Sequence, residues 1–330
     1  MLRVSVLGGA GFIGTALCRR LFSEGVDFQI IDLKPSRSFP DRSIVADIRD
    51  SNALHTHMDG DVIVNLVAVH RDDVTDSRAY YDTNVDGTGV VCKVAEEKGI
   101  NRIVFTSSVA VYGFAPVGTG EDGKIAPFND YGKSKYQGEE VLRAWRNRSP
   151  ANRGLVIVRP TVVFGEGNRG NVYNLLNQIA RGQFVMIGSG KNRKSMAYVE
   201  NVAAFLQQAI ESKCNDGMFN YVDTPDMDMN TLVSQVRHKL FGKSGVGIRL
   251  PYPVGITIGK VADVITRYSR KKLPVSSIRV RKFCGDTAFS SAKGTLDNFV
   301  PPFALQQGLD RTLEKEFLDP DPEQEVFFTE

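Results

Sequence analysis

The first fourteen residues constrain this chain most. Leu2-Arg3-Val4-Ser5-Val6-Leu7 reads as a strand, and Gly8-Gly9-Ala10-Gly11-Phe12-Ile13-Gly14 turns it into a helix. A glycine run at that junction serves three needs: a tight turn, close approach of the backbone to phosphates, and close packing of helix on strand. The helix N-terminus then offers unpaired N–H groups to an anion. A second strand, Phe28-Gln29-Ile30-Ile31, closes on Asp32, eighteen residues after Gly14. A carboxylate there accepts hydrogen bonds from an adenosine ribose. Strand, glycine turn, helix and acid in this order point to a bound dinucleotide. Asp32 favours NAD, because its charge repels a 2′-phosphate. Lys34 and Arg37 follow closely and partly relieve that repulsion, which leaves NADP open.

The first half alternates strand and helix signals. Val62-Ile63-Val64-Asn65-Leu66-Val67, Arg102-Ile103-Val104-Phe105-Thr106 and Leu155-Val156-Ile157-Val158 are apolar runs of the buried parallel-strand type. Helical periodicity covers Phe12–Phe22, Tyr80–Glu97 and Tyr131–Trp145. The pattern predicts a Rossmann-type, doubly wound parallel α/β sheet over residues 1–160. Ligands of such sheets bind beyond the carboxyl ends of the strands, where strand order reverses.

After Arg159-Pro160 the pattern loosens. Loops are expected at 165–171 and at 188–194, the second with three basic residues in seven. Helical patterns resume at Asn201–Ile210, Asn230–Leu240, Ile256–Tyr268 and Leu305–Phe317. Residues 161–330 therefore read mainly as a smaller α/β substrate domain, with a return to the first at about 195–220. The acidic, proline-containing stretch from Asp319 is expected to fray.

With 330 residues, 42% hydrophobic, 24% charged and a net charge of +3, the chain reads as an ordinary globular protein. The charge is too small to imply nucleic acid, and no basic stripe alternates with aromatics. Cys18, Cys92, Cys214 and Cys284 are scattered without a Cys-x-x-Cys pair, so neither a metal site nor a disulfide framework is expected. The first strand begins at Leu2, which leaves no room for a signal peptide, and no apolar run is long enough to span a bilayer. A cytoplasmic location is the default expectation.

Tyr131-Gly132-Lys133-Ser134-Lys135 opens a helix, and residues four apart share one helical face. Tyr131 and Lys135 therefore project together. A phenol normally titrates near 10, so a phenolate near neutral pH needs help of about 4 kcal/mol. An adjacent ammonium and an oxidised nicotinamide both favour it. Tyr131 is then a general base toward a sugar or alcohol hydroxyl. Phe105-Thr106-Ser107-Ser108 ends a buried strand at the carboxyl edge, where Ser108 could hold the reacting oxygen.

These motifs together resemble the extended short-chain dehydrogenase/reductase family, in its nucleotide-sugar epimerase/dehydratase/reductase branch. The similarity runs over about residues 1–310. Gly8, Gly11 and Gly14 match the phosphate-binding glycines, with Phe12 and Ile13 between them. Asp47-Ile48 matches the acid-plus-aliphatic pair beside the adenine. Asn65-Leu66-Val67-Ala68 looks like the strand under the nicotinamide ribose, placing Leu66 and Ala68 at the cofactor. Asn84-Val85-Asp86-Gly87-Thr88 matches a helix start that puts Asn84 there too. Ser108 with Val111-Tyr112-Gly113, and Tyr131 with Lys135, match the catalytic segments. Arg159-Pro160 through Phe164-Gly165 and Ala197 through Val202 match segments bordering the substrate. The resemblance implies a nucleoside-diphosphate sugar in the cleft and a homodimer through the helices Tyr80–Glu97 and Tyr131–Trp145.

Departures narrow the chemistry. Val109-Ala110 stands where the 4,6-dehydratases of the family carry Asp-Glu, which disfavours dehydration. No cysteine lies near Ser108, which disfavours epimerisation next to a ketone. Hydride transfer at one carbinol carbon, most often C4, remains. A 4-epimerase ranks first. An NAD(P)H-dependent 4-ketoreductase of a 4-keto-6-deoxy sugar is the alternative, favoured by Arg159-Pro160-Thr161-Val162-Val163 and by Asn192-Arg193-Lys194-Ser195. A non-catalytic dinucleotide sensor and a reductase of a small ketone or sterol are rivals of other classes. Arg193, Lys194 and Arg281 are candidates to grip the substrate diphosphate, and Asn171 to bind the sugar. His70-Arg71-Asp72-Asp73 overhangs the cleft, more as a loop-ordering group than as chemistry. Pro253–Lys272 reads as a lid helix in preference to one lying on a membrane surface.

Overall fold

The structure, a computed structural model, describes residues 2–71, 74–269, 276–291 and 296–329. Asp72, Asp73, Arg270, Lys271 and Lys272 lie outside the described residues. The chain begins β1 (Arg3–Leu7), α1 (Phe12–Ser23), β2 (Asp27–Asp32), β3 (Ser43–Val45), α2 (Ser51–His57), β4 (Val62–Asn65), α3 (Arg78–Tyr81), α4 (Thr88–Glu97), β5 (Arg102–Thr106), α5 (Asp130–Asn147) and β6 (Gly154–Pro160). It continues with β7 (Val162–Phe164), α6 (Asn171–Ala180), β8 (Met186–Ile187), β9 (Arg193–Lys194), β10 (Met196–Tyr198), α7 (Val199–Glu211), β11 (Asp216–Tyr221), β12 (Met227–Asp228) and α8 (Met229–Phe241). Then come β13 (Arg249–Leu250), α9 (Tyr252–Ser269), α10 (Ser277–Cys284) and α11 (Leu305–Leu313).

Seven strands form one parallel sheet in the order β11-β6-β5-β4-β1-β2-β3. The order reverses between β1 and β4, so their carboxyl ends open the crevice that such sheets use for ligands. Val62, Ile63, Val64 and Asn65 are all buried, because helices cover both faces. One face packs against α1 and α7, and its core runs on into the helices after residue 160. The other packs α2, α4 and α5 around Trp145 and Phe105. After β6, α7 lies against α1 and β11 pairs with β6.

Two expected helices are not continuous. The run Tyr80–Glu97 is broken by a wider, π-type turn over Asp82–Gly87, and Leu305–Phe317 by another over Glu314–Leu318. In the first, Thr88 Oγ1 donates to the Asn84 carbonyl at 2.8 Å, and Gly138 of α5 is pressed close to that same oxygen. The crossing of two helices at Gly138 replaces regular hydrogen bonding there.

The tail from Asp319 is docked rather than frayed. Phe327 N–H donates to the Gly167 carbonyl at 2.9 Å, and Arg169 N–H donates to the Phe327 carbonyl at 2.8 Å. The Phe327 ring lies 5.7 Å from that of Phe12. Composition alone could not show this, since the partners are a distant loop and the first helix.

Candidate active site

Gly8, at the end of β1, adopts φ +80°, a left-handed conformation that favours glycine. A Cβ there would stand 3.0 Å from Val67 N, on the neighbouring strand's exit. At Gly14 a Cβ would fall 2.3 Å from the Gly8 carbonyl oxygen, so only glycine lets α1 approach the turn. Gly11 caps α1 without any side-chain cap, and Phe12 and Ile13 follow as its first helical residues. Their N–H groups belong to the first turn, which has no helical acceptors. This bare, glycine-walled helix end fits a pyrophosphate.

Asp32 closes the cradle. Its carboxylate accepts the Ala10 N–H at 3.0 Å, and burial raises its pKa while backbone hydrogen bonds oppose the rise. Asp47 is gripped by Arg49, with Nη2 at 2.6 Å, and that hydrogen bond holds its carboxyl below the usual range. Ile48 is buried against Gly87, whose added Cβ would meet it at 2.7 Å. Leu66 extends the sheet through its N–H to the Leu7 carbonyl, and Ala68 offers its carbonyl to His70 Nδ1 at 3.2 Å. Asn84 is fully engaged: it accepts Val69 N–H at 2.8 Å and donates to the Val69 carbonyl and to Ser134 Oγ. It clamps the loop after β4 onto α5, so its side chain shapes the cofactor edge rather than reaching into it.

The catalytic candidates converge. Ser108 follows β5 and caps a short helical turn, its Oγ accepting Ala110 N–H at 3.1 Å. Asn129 caps α5 through Gly132 N–H at 3.0 Å, which starts the helix at Tyr131's doorstep. Burial raises the pKa of the Tyr131 hydroxyl, and a hydrogen bond from Ser108 opposes the rise. Lys135 is 1% exposed, and its Nζ lies 4.2 Å from the centre of the Phe105 ring. Burial lowers its pKa to about 7, against the pull of Glu139. Burial therefore works against the ammonium that the sequence places beside Tyr131. Burial lowers the pKa of the His70 imidazole, and the nearby charge of Lys135 lowers it further.

Sequence reasoning missed the support beneath this set. Tyr131, Lys135 and Glu139 recur every four residues along one face of α5, and Glu139 is wholly buried. It accepts Ser107 Oγ–H at 2.6 Å and the Arg159 guanidinium at both oxygens. Arg159 also donates to the Tyr112 hydroxyl at 2.6 Å, and Tyr112 donates to Asn220 Oδ1 at 2.9 Å. The available signal was the third member of the spacing, an acid on an otherwise buried face.

The substrate candidates are dispersed. Asn171 is exposed at the first position of α6, and Arg281 is exposed on α10. The Arg193 side chain is exposed near Asp226 and Asp228. Lys194 is corrected: its Nζ donates to the carbonyls of Lys282 and Gly285 at 2.8 and 2.6 Å. It caps the carboxyl end of α10, where helix carbonyls lack partners, and is not free to grip a phosphate.

A sequence profile described as the NAD dependent epimerase/dehydratase family matches residues 4–220. The chain belongs to the NAD-dependent epimerase/dehydratase family. It is 45% identical over 331 residues to "N-acetyl-alpha-D-glucosaminyl-diphospho-ditrans,octacis-undecaprenol 4-epimerase" of Escherichia coli O157:H7, with 99% of each chain covered. A UDP-glucose 4-epimerase of Vibrio cholerae is 27% identical, with 94% of each covered. The fold matches that of MoeE5, solved in complex with UDP-glucose and NAD, with a TM-score of 0.72 at 22% identity, covering 94% of this chain and 97% of that one. As a member of the family the chain is an NAD-dependent enzyme, and the C4-epimerase expectation agrees with both relatives. Among the described residues no helix is long and apolar enough to cross a membrane.

Proposed function

We propose that this chain inverts C4 of an N-acetylhexosamine joined through a diphosphate to a polyprenol. The observation that carries the reading is the 45% identity spanning 99% of both chains, to a relative whose name states that substrate. The name of that relative favours a lipid carrier of the sugar diphosphate over the nucleotide carrier that the sequence suggests.

Gly8, Gly11, Phe12, Ile13 and Gly14 would hold the NAD pyrophosphate, Asp32 the adenosine ribose, and Asp47-Ile48 the adenine edge. Leu66 and Ala68 would border the nicotinamide ribose. Bound NAD supplies a reversible acceptor for the hydride on C4. Tyr131 takes and returns the C4 hydroxyl proton, and Ser108, which lies near the Tyr131 hydroxyl, orients the same C4 oxygen. Lys135 sets the charge beneath the pair. Val109-Ala110 offers no second proton carrier, so water is retained.

The test is incubation with undecaprenyl diphosphate N-acetylglucosamine in detergent, followed by acid release and separation of the hexosamines. Glucosamine and galactosamine should approach one fixed ratio from either starting isomer. Turnover of UDP-N-acetylglucosamine without turnover of the lipid-linked sugar would overturn the lipid reading in favour of a nucleotide-sugar epimerase.

A further inference from the structure

The helix α9 packs the wrong way round for one bathed in water. Its inward face is built from Gly255, Gly259 and Ala262, all buried. A Cβ at Gly259 would meet the Ser277 backbone at 2.8 Å, and one at Gly255 the Ile187 side chain at 2.4 Å. Small residues thus bring α9 close to α10 and β8. Its large aliphatic residues face outward instead. Val254, Ile258, Val261 and Ile265 recur at helical spacing along one line and are 44, 46, 54 and 47% exposed. Val264 beside them and Ile278 on α10 are exposed by 54 and 52%.

The exposed charged side chains described on α9 and α10 are basic. Lys260 and Arg267 lie seven residues apart along one border of it. Arg281 and Lys282 are exposed on α10. The acid of α9, Asp263, is turned inward, where its carboxylate accepts Ser277 N–H at 3.2 Å. The hairpin also adjoins the candidate active site. Lys282 Nζ lies 5.4 Å from the centre of the Phe128 ring, which precedes the cap of α5 and stacks on exposed Phe114 at 4.7 Å. An apolar line with a basic border has the chemistry of a surface that lies in a bilayer interface. At eighteen residues, with two basic side chains and one acid, α9 does not meet the demands of a span.

We infer that the α9–α10 hairpin docks on an anionic phospholipid surface, its aliphatic line in the acyl boundary and its basic border among the headgroups. This deepens the lipid-linked reading, and rests on it only for what the docking achieves: a cleft mouth held where a polyprenyl diphosphate presents its sugar.

Flotation of the full-length protein with phosphatidylcholine–phosphatidylglycerol vesicles, and with pure phosphatidylcholine vesicles, tests it. The protein should float with the mixed vesicles and at least ten times less with the neutral ones. Ile258→Ser/Ile265→Ser and Lys260→Glu/Arg267→Glu should each reduce flotation at least tenfold. Both should keep wild-type turnover in detergent, because all four side chains are exposed. Wild-type protein that turns over lipid-linked sugar in detergent yet never floats would overturn the docking and leave the proposed function standing. Flotation without such turnover would do the reverse. Absence of flotation together with a dimer that the serine variant dissociates would assign the stripe to a second copy and overturn the inference.

Discussion

Arg159 grips Glu139 through both carboxylate oxygens, with Nε at 2.8 Å and Nη2 at 2.5 Å, inside a core where neither residue is more than 1% exposed. The pair joins the last strand of the first half to the catalytic helix, one turn beyond Lys135. Ser107 donates to the same carboxylate, so the segment carrying Ser108 and the helix carrying Tyr131 are fixed to one acid. Breaking a buried pair from one side leaves the other charge dehydrated, which costs about 3–5 kcal/mol. Glu139→Ala should therefore lower the unfolding free energy by about that amount in a denaturant titration. A loss below about 1 kcal/mol would show that the pair is not what holds the two segments together.

Tyr131→Phe removes the hydroxyl that carries the C4 proton in the proposed reaction. General acid–base groups contribute roughly a hundredfold to ten-thousandfold. Turnover should fall within that range while the melting temperature and the NAD content of the purified protein stay unchanged. Retention of full activity would remove Tyr131 from the proton path.

The lysine has its own signature. Its folded pKa, about 7, lies below the value of 10.5 for an exposed lysine. Between those values the unfolded chain binds the extra proton and the folded one does not, so stability rises with pH. Below pH 7 both states carry the charge and the full cost of burying it persists. In NAD-free protein, unfolding free energy should climb between pH 7 and 9 by about 1 kcal/mol per unit more than in Lys135→Met. Parallel pH profiles for the two proteins would place the charge in solvent.

Gly14→Ala would set a Cβ at 2.3 Å from the Gly8 carbonyl and 2.6 Å from Gly9 Cα. Neither backbone atom can yield without opening the turn. Overpacking of this kind costs about 1–3 kcal/mol. The variant should melt lower and lose most of its copurifying NAD, measured by absorbance after acid release. Wild-type NAD occupancy would show that the turn is not the pyrophosphate cradle.

Phe327→Ala tests the docked tail. The ring touches Phe12 at the start of α1, and its neighbours bond to the loop at Gly167 and Arg169. Loss of an aromatic pair costs about 0.5–1.5 kcal/mol beyond area. The midpoint of unfolding should drop accordingly, and proteolysis should cleave the tail faster. No change in either would mean that the contact contributes nothing in solution.

Local rules carried the catalytic half of this protein. The glycine turn, Asp32, the strand-end Ser108 and the Tyr131–Lys135 spacing all depend on residues within a few turns of one another, and a strand or helix fixes their relative directions. The same is true of the longer strands and helices up to Pro160, whereas short β3 and α2, with too few residues to show a period, were not legible. Tertiary structure decided the rest, because those contacts join residues that no spacing relates. Lys194 ended on the carbonyls of α10, eighty-eight and ninety-one residues away, instead of on a phosphate. Asp319–Thr329 was pinned by a loop more than 150 residues earlier. Periodicity placed apolar residues on α9 but not the side they face: close packing at Gly255, Gly259 and Ala262 turned the aliphatic line outward. The protonation of Lys135 followed from burial over Phe105, a property of how helix and sheet pack and not of the sequence around the lysine.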